Sequence, residues 1–165
     1  MIFVTVGSQK FQFNRLLEEI DNLIEKGVIN EPVFAQKGYC DYVPKKYEYK
    51  DFLTREEFKE IIGKSSIVVT HGGTGAIINA VKKDKKVIAV ARNCKHGEHV
   101  DNHQRQIVEQ FREAGIILGA NDCSELEKMV KALDGFEPKP YISSTKVIID
   151  SLENDIQEFM KKGVV

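Results

Sequence analysis

At 165 residues, with 42% hydrophobic and 30% charged positions, the chain has the make-up of one compact domain with a real core, not of a disordered segment. Its 24 Lys and Arg against 25 Asp and Glu leave a net charge of −1, without the basic excess of a nucleic-acid binder. Cys40, Cys94 and Cys123 are widely spaced and odd in number, which suits free thiols in a reducing, cytoplasmic compartment.

Short apolar runs alternate with helical periodicity. Ile2 to Val6 reads as a buried strand, being rich in β-branched residues. Phe13, Leu16, Leu17, Ile20, Leu23 and Ile24 then recur at helical spacing, with Gly27 placed to end the helix. Val33 to Ala35 predicts a second strand, and Tyr47 to Tyr49 leaves room for another. Thr54 and Glu57 form a T-x-x-E capping box, flanked by Leu53 and Phe58 at the staple positions, and that helix ends near Gly63. Ser66 to Thr70 is a strand, and Gly72-Gly73-Thr74-Gly75 opens a helix that runs to about Lys83. Val87 to Ala91 is the next strand. After a long loop, Val100, Ile107, Val108, Phe111 and Ala114 mark a helix closed by Gly115. Ile116 to Leu118 is expected as the last strand. Ser124 and Glu127 read as a second capping box, ahead of Leu126, Met129, Val130 and Leu133. Pro138 and Pro140 break the chain, and a final helix from about Ser144 would carry Ile148, Leu152, Ile156 and Phe159 on one face.

Strand and helix in alternation imply an α/β fold: a Rossmann-like, open, mostly parallel sheet covered on both faces. The expectation is a single domain over residues 1–165, with a helical appendage from about residue 141. The start lacks the basic region of a signal peptide, and no apolar run approaches the roughly 20 residues that span a bilayer. Lys82, Lys83, Lys85 and Lys86 are read first as a solvated helix end, with a weak anionic-membrane patch as the alternative.

Ligands of such sheets bind at the carboxyl ends of strands. Three polar segments leave those ends: Gly7-Ser8-Gln9-Lys10, His71-Gly72-Gly73-Thr74-Gly75, and the loop Arg92 to Gln104. In the first two, glycines let the backbone approach an anion, helix N-termini offer unpaired N–H groups, and Ser8 and Thr74 add hydroxyls. A diphosphate fits both places. The alternative is that the glycines only make tight strand-to-helix turns. Two nucleotide motifs come close and fail. Ile78 holds the third glycine position of G-x-G-x-x-G, and Phe58 stands where a Walker A loop ending at Gly63-Lys64-Ser65 needs its first glycine.

The third segment packs Glu98, His99, Asp101, Asn102, His103 and Gln104 into seven positions at a helix start, the acceptors and amides that sugar and ribose hydroxyls require. A polar cap on a solvated helix is the plainer reading. Cys94, His96, His99 and His103 also raise a zinc site, but their spacing matches no standard one.

Taken together, Val4-Thr5-Val6-Gly7, Thr70-His71-Gly72-Gly73-Thr74-Gly75 and Glu98-His99-Val100-Asp101-Asn102-His103-Gln104 resemble the glycosyltransferase family 28 C-terminal domain over roughly Met1 to Leu133. The likeness is greatest to its stand-alone versions. These are the catalytic subunit of the two-part UDP-N-acetylglucosamine transferase of dolichol-linked oligosaccharide synthesis and its bacterial counterpart, a β-1,4-glycosyltransferase subunit of capsule and exopolysaccharide synthesis.

The resemblance implies a GT-B half-domain that binds a UDP-sugar and passes the sugar to a lipid-linked acceptor with inversion. A membrane-associated partner would supply the acceptor half, which would leave this chain cytoplasmic and peripheral to the membrane. It places Gly7 and Ser8 near the diphosphate, Phe52 and Leu53 near the uracil, and His71 to Thr74 along the phosphate and ribose. It turns His103 and Gln104 toward sugar hydroxyls. Asn79 stands where the family often has an acidic residue gripping the ribose, and an amide bonds a hydroxyl without charge-assisted strength. Glu98, Asp101, Asn102 and Gly75 complete the expected donor site.

The chain carries no D-x-D pair, so no metal cofactor is expected. His71 is the candidate catalytic base within the chain, with the partner as the other source. The rival class is a non-catalytic UDP-sugar-binding regulatory subunit. A hydrolase lacks its G-x-S-x-G elbow.

Overall fold

The computed structural model describes residues 1–100 and 103–142. In chain order they form β1 (Ile2–Thr5), α1 (Asn14–Glu25), β2 (Val33–Gln36), β3 (Glu48–Lys50), α2 (Arg55–Lys64), β4 (Ile67–Thr70) and α3 (Thr74–Val81). Then follow β5 (Lys86–Val90), α4 (His103–Glu113), β6 (Leu118–Ala120) and α5 (Leu126–Ala132), with 3-10 turns at Cys94–His96 and Cys123–Glu125. The strands make one sheet in the order β3-β2-β1-β4-β5-β6, and every pair in it is parallel. The expected open α/β sheet is therefore present and is wholly parallel. The helix expected from about Ser144 lies outside the described residues.

Alternation along β1 assigns its side chains to two cores. Ile2 and Val4 point to one face with Val69, Ile88 and Val90, where Leu16, Leu17, Ile20 and Leu23 of α1 and Leu126 of α5 cover them. Phe3 points to the other face with Val68, Val87 and Ala89, beneath Ile62 of α2, Ile77 and Ala80 of α3, and Val108 of α4. Burial on both faces explains why the central strands read as continuous apolar runs.

The capping box at Thr54 forms: the Thr54 hydroxyl accepts from Glu57 N–H at 3.2 Å and Glu57 accepts from Thr54 N–H at 2.9 Å. Leu53 and Phe58 both pack against the second core, where Phe58 meets Phe3 edge-on at 5.3 Å.

The second capping box does not form. Asp122 accepts from Ser124 N–H at 3.0 Å and caps the 3-10 turn, so α5 starts later, at Leu126, without a side-chain cap. The last strand also shifts. Ile116 N–H still donates to Phe111 O at 3.1 Å, closing α4, and β6 begins only at Leu118.

Only part of the lysine group is a solvated helix end: Lys82 and Lys83 are exposed, but Lys85 and Lys86 are half-buried, and Lys86 opens β5 and donates to Leu133 O at 2.6 Å. Lys83 and Lys85 donate to Lys59 O at 2.6 Å and Gly63 O at 3.0 Å, satisfying carbonyls near the end of α2. Among the described residues no helix is long and apolar enough to cross a membrane.

Candidate functional site

The sheet order reverses direction between β1 and β4, the point where open parallel sheets receive ligands. The register sets Thr5 beside Thr70, so both chains leave the sheet together. His71 N–H donates to Thr5 O at 3.3 Å, which draws the β4–α3 turn against the β1–α1 turn.

The glycines here serve the histidine. A Cβ on Gly7 would lie 2.6 Å from His71 Cε1, and one on Gly73 would lie 2.5 Å from His71 Nε2. The imidazole is wedged between the two turns, and a side chain on either would displace it. Gly7 also has φ +79°, a left-handed conformation that costs other residues about 1–2 kcal/mol. His71 is 8% exposed. Its Nδ1 sits 3.3 Å from Thr5 O, which only accepts, so Nδ1 carries the proton and Nε2 holds the lone pair. Burial first, and the Arg92 charge second, lower its pKa to about 4, so the ring is neutral at pH 7.

Around this ring opens a cavity of about 500 Å³, lined by Thr5, Gly7, Ser8, Gln9, Gln36, Leu53, Thr54, Arg55, Phe58, His71, Gly73, Gly75, Ala76, Asn79 and Gln104. Its volume suits a small-molecule ligand. The N-terminus of α3 faces it without a side-chain cap and without an acidic residue in its first turn. The contrast with α2 is direct, for α2 is capped by Thr54 and carries Glu56 and Glu57. The uncapped N–H groups and positive end of α3 are left for an anion.

Gln104, at the start of α4, is 7% exposed, and its Oε1 is buried without a hydrogen-bond partner. A buried acceptor in that state is costly until a donor such as a hydroxyl meets it. Asn79 donates from Nδ2 to Gly75 O at 2.8 Å, so its carbonyl oxygen is what it offers the cavity.

Of the residues expected from sequence, Gly7, Ser8, Leu53, His71, Gly73, Gly75, Asn79 and Gln104 come together on this one cavity. Others do not line it. Phe52 is half-exposed and stacks edge-on against Tyr39 at 5.0 Å, while Thr74 is exposed on the first turn of α3. Gly72 is buried behind the site, where a Cβ would meet Val108 at 2.7 Å. His103 is exposed, with Nδ1 3.1 Å from Gln106 Oε1. Asp101 and Asn102 lie outside the described residues.

Glu98 departs from expectation outright. Its side chain is 0% exposed, and it accepts two bonds from Arg15, at 2.7 and 3.0 Å, and one from Asn93 N–H at 2.8 Å. It is an internal strut with no atom available to a sugar. Among the described residues no cluster of three His, Cys, Asp or Glu could hold a metal ion.

Gln36, Thr5 and Arg55 also line the cavity and were not anticipated. Gln36 donates to Gly7 O at 3.1 Å and accepts from Leu53 N–H at 3.3 Å, tying the two loops it lies between. A cleft of similar size, about 490 Å³, opens at the amino end of the strands beside Ile2, Ile29, Ile67 and Leu133. It lacks both glycine turns and the helix N-terminus.

The chain is similar to known proteins. The UDP-N-acetylglucosamine transferase subunit ALG13 of Candida glabrata is 36% identical over 80 residues, a stretch that covers 48% of this chain and 38% of that one. The chain thus spans well under two thirds of that relative. Among solved structures, the solution structure of ALG13 superposes with a TM-score of 0.57 at 21% identity, covering 92% of this chain and 93% of that one. The glycosyltransferase of kitacinnamycin gives a TM-score of 0.59 at 15% identity, covering 80% of this chain but 34% of the enzyme. At such identities these structures speak for the fold alone, that of one half of a GT-B transferase. The profile of the glycosyltransferase family 28 C-terminal domain matches residues 1–162, and the chain belongs to that family.

Proposed function

We propose that the chain is the donor-binding, catalytic subunit of a two-component inverting glycosyltransferase that moves a sugar from a UDP-sugar to a lipid-linked acceptor. The observation that carries this reading is the cavity at the β1/β4 switch point, where two glycine turns enclose a neutral His71 beneath the uncapped end of α3. The diphosphate would lie against Gly7, Ser8 and the α3 N–H groups, with Arg55 as the nearby cation. The uracil would lie toward Leu53, the ribose toward Asn79, and the sugar toward Gln104. Relatives named as UDP-N-acetylglucosamine transferase subunits make N-acetylglucosamine the first sugar to test, and their standing as subunits supports a partner.

In the reaction an acceptor hydroxyl attacks the anomeric carbon, the bond from that carbon to the diphosphate oxygen breaks, and UDP leaves with the electron pair. Backbone N–H groups already aimed at the diphosphate stabilise the charge that develops there. A base with a pKa of about 4 is poorly matched to deprotonating a hydroxyl at neutral pH. His71 is therefore better suited to the diphosphate. A bound anion raises its pKa, and the Nε2–H so formed can donate to the leaving oxygen. The base for the acceptor then falls to the partner, which would also bring the chain to the membrane surface. Because this chain lacks a D-x-D pair, the complex is expected to transfer sugar in excess chelator.

The lack of a well-matched base also favours one alternative, a regulatory subunit that binds UDP-sugar and never transfers. The test is to co-purify the chain with its partner and offer UDP-N-acetylglucosamine, UDP-glucose or UDP-galactose with a lipid-linked acceptor. Transfer by the complex and none by the chain alone is expected. Binding without transfer by the complex would favour the regulatory reading, and robust transfer by the isolated chain would overturn the two-component one.

A further inference from the structure

Arg92 stands two residues past the end of β5 and is 1% exposed, the bulkiest fully buried side chain among the described residues. Its Nη2 donates to Val6 O at 2.6 Å and to Phe11 O at 3.1 Å, the two ends of the β1–α1 loop that carries Gly7, Ser8 and Gln9. Its guanidinium lies over the Phe13 ring, 5.9 Å from the centroid. Nε and Nη1 are buried without hydrogen-bond partners, and among the described residues no carboxylate pairs with the charge.

A guanidinium buried without an anion is unfavourable, so its presence needs a return elsewhere. Phe13 packing alone would be met by an apolar side chain. The two carbonyls lie five residues apart along the loop, and the two N–H groups of the one nitrogen Nη2 grip both. The neighbouring loop is fixed in the same direction: Gln12 donates to His96 O at 3.0 Å, and Arg15 holds Glu98. The β1–α1 loop is thereby pinned to the β5–α4 loop at several points, and Arg92 is the one that reaches its glycine end.

We propose that Arg92 is a positioning residue for the donor's diphosphate. It clamps Val6 and Phe11 so that the Gly7–Ser8 turn is preformed, and it sets a positive charge, in direct contact with no carboxylate among the described residues, beneath the site where the anion arrives. The proposal rests on the donor-binding reading above. It adds a residue that touches no substrate and acts through the loop and through its charge.

The test compares UDP with uridine, which shares the base and ribose but lacks the diphosphate. Arg92→Met keeps a stem against Phe13 and removes the donors and the charge; Arg92→Lys keeps the charge on a shorter side chain that lacks the planar Nη2 donor pair. Titration calorimetry on the full chain is expected to show UDP binding weakened about tenfold in Arg92→Met, a loss of about 1.4 kcal/mol, with uridine changed less than about twofold. Arg92→Lys should fall between the wild type and Arg92→Met. In both variants, amide hydrogen exchange should quicken from Gly7 to Phe11 while the amides of β1 and β4 keep their protection.

Equal weakening of UDP and uridine would reduce Arg92 to a structural residue and overturn the proposal, as would unchanged UDP affinity in a folded variant. If Arg92→Met does not fold, Arg92→Lys decides on the same criteria. A wild-type chain that binds no UDP would defeat the donor reading. The exchange comparison would then still support or refute the clamp.

Discussion

Gly73→Ala isolates the relation between the glycine turns and His71. Gly73 has φ −69° and ψ 127°, values open to any residue, so backbone strain contributes nothing to its requirement. Two costs remain. As the residue before the first turn of α3, alanine is a poorer cap than glycine, by about 0.5–1 kcal/mol. In addition its Cβ would stand 2.5 Å from His71 Nε2, an overlap relieved only by moving the ring or the turn, at about 1–3 kcal/mol. In a His71→Ala background the overlap disappears and the capping cost stays. Urea unfolding of the wild type, both single variants and the double variant therefore measures the clash as a coupling free energy of about 1–3 kcal/mol. Gly7→Ala provides the contrast, since its left-handed φ of +79° keeps part of the penalty when His71 is absent. If Gly73→Ala cost the same in both backgrounds, the imidazole would not be what the glycine accommodates, and the geometry drawn for the site would be wrong.

Further outcomes follow from the same geometry. The folded-state pKa of His71, about 4, lies below its ordinary value, so the unfolded chain takes up this proton first as pH falls. Stability owed to His71 is complete above about pH 6.5 and is lost toward pH 4; His71→Gln should flatten that slope in urea midpoints measured across the window. Gln104→Ala removes a buried acceptor and should weaken UDP-sugar binding by about 1–3 kcal/mol while leaving UDP itself nearly unchanged; His103→Ala, outside the cavity, should do much less. Calorimetry with both ligands checks this, and collapse of UDP binding in a folded Gln104→Ala variant would place Gln104 on the nucleotide. Glu98→Gln breaks the pair with a partly exposed Arg15 and should destabilise the fold by roughly 2–3 kcal/mol, read as a lower urea midpoint.

Much of the fold was legible because its signals are local. The apolar runs of β1, β4 and β5 mark strands buried on both faces, and the Thr54 box with its staple residues needs only six consecutive positions. The failures come where a local signal had a competitor. Ser124 and Glu127 have the spacing of a cap, but Asp122 takes the turn first. Ile116 and Ile117 look like the start of β6, yet Ile116 is still bonded to the end of α4.

The site divides in the same way. The glycine turns and Gln104 sit at strand and helix ends that periodicity locates. Glu98 resembled a ligand residue because it lies in a polar loop; its partner Arg15 is 83 residues away, and nothing nearby announces it. Gln36 was passed over and Arg92 was named only as the start of a polar loop, although a polar residue ending a buried strand and an arginine following one at its carboxyl end are signals a reading by position could use.

The central claim is that the cavity beside His71 binds a UDP-sugar through its diphosphate, and titration of the wild-type chain with UDP and UDP-N-acetylglucosamine, followed by amide chemical shifts, tests it most directly. Saturable binding is expected, with a higher Tm and with the largest shifts at Gly7, Ser8, Gly73, Thr74 and Gly75, because a ligand held by the folded state must stabilise it. No heat, no rise in Tm and no shifts at those amides with millimolar ligand would contradict the account.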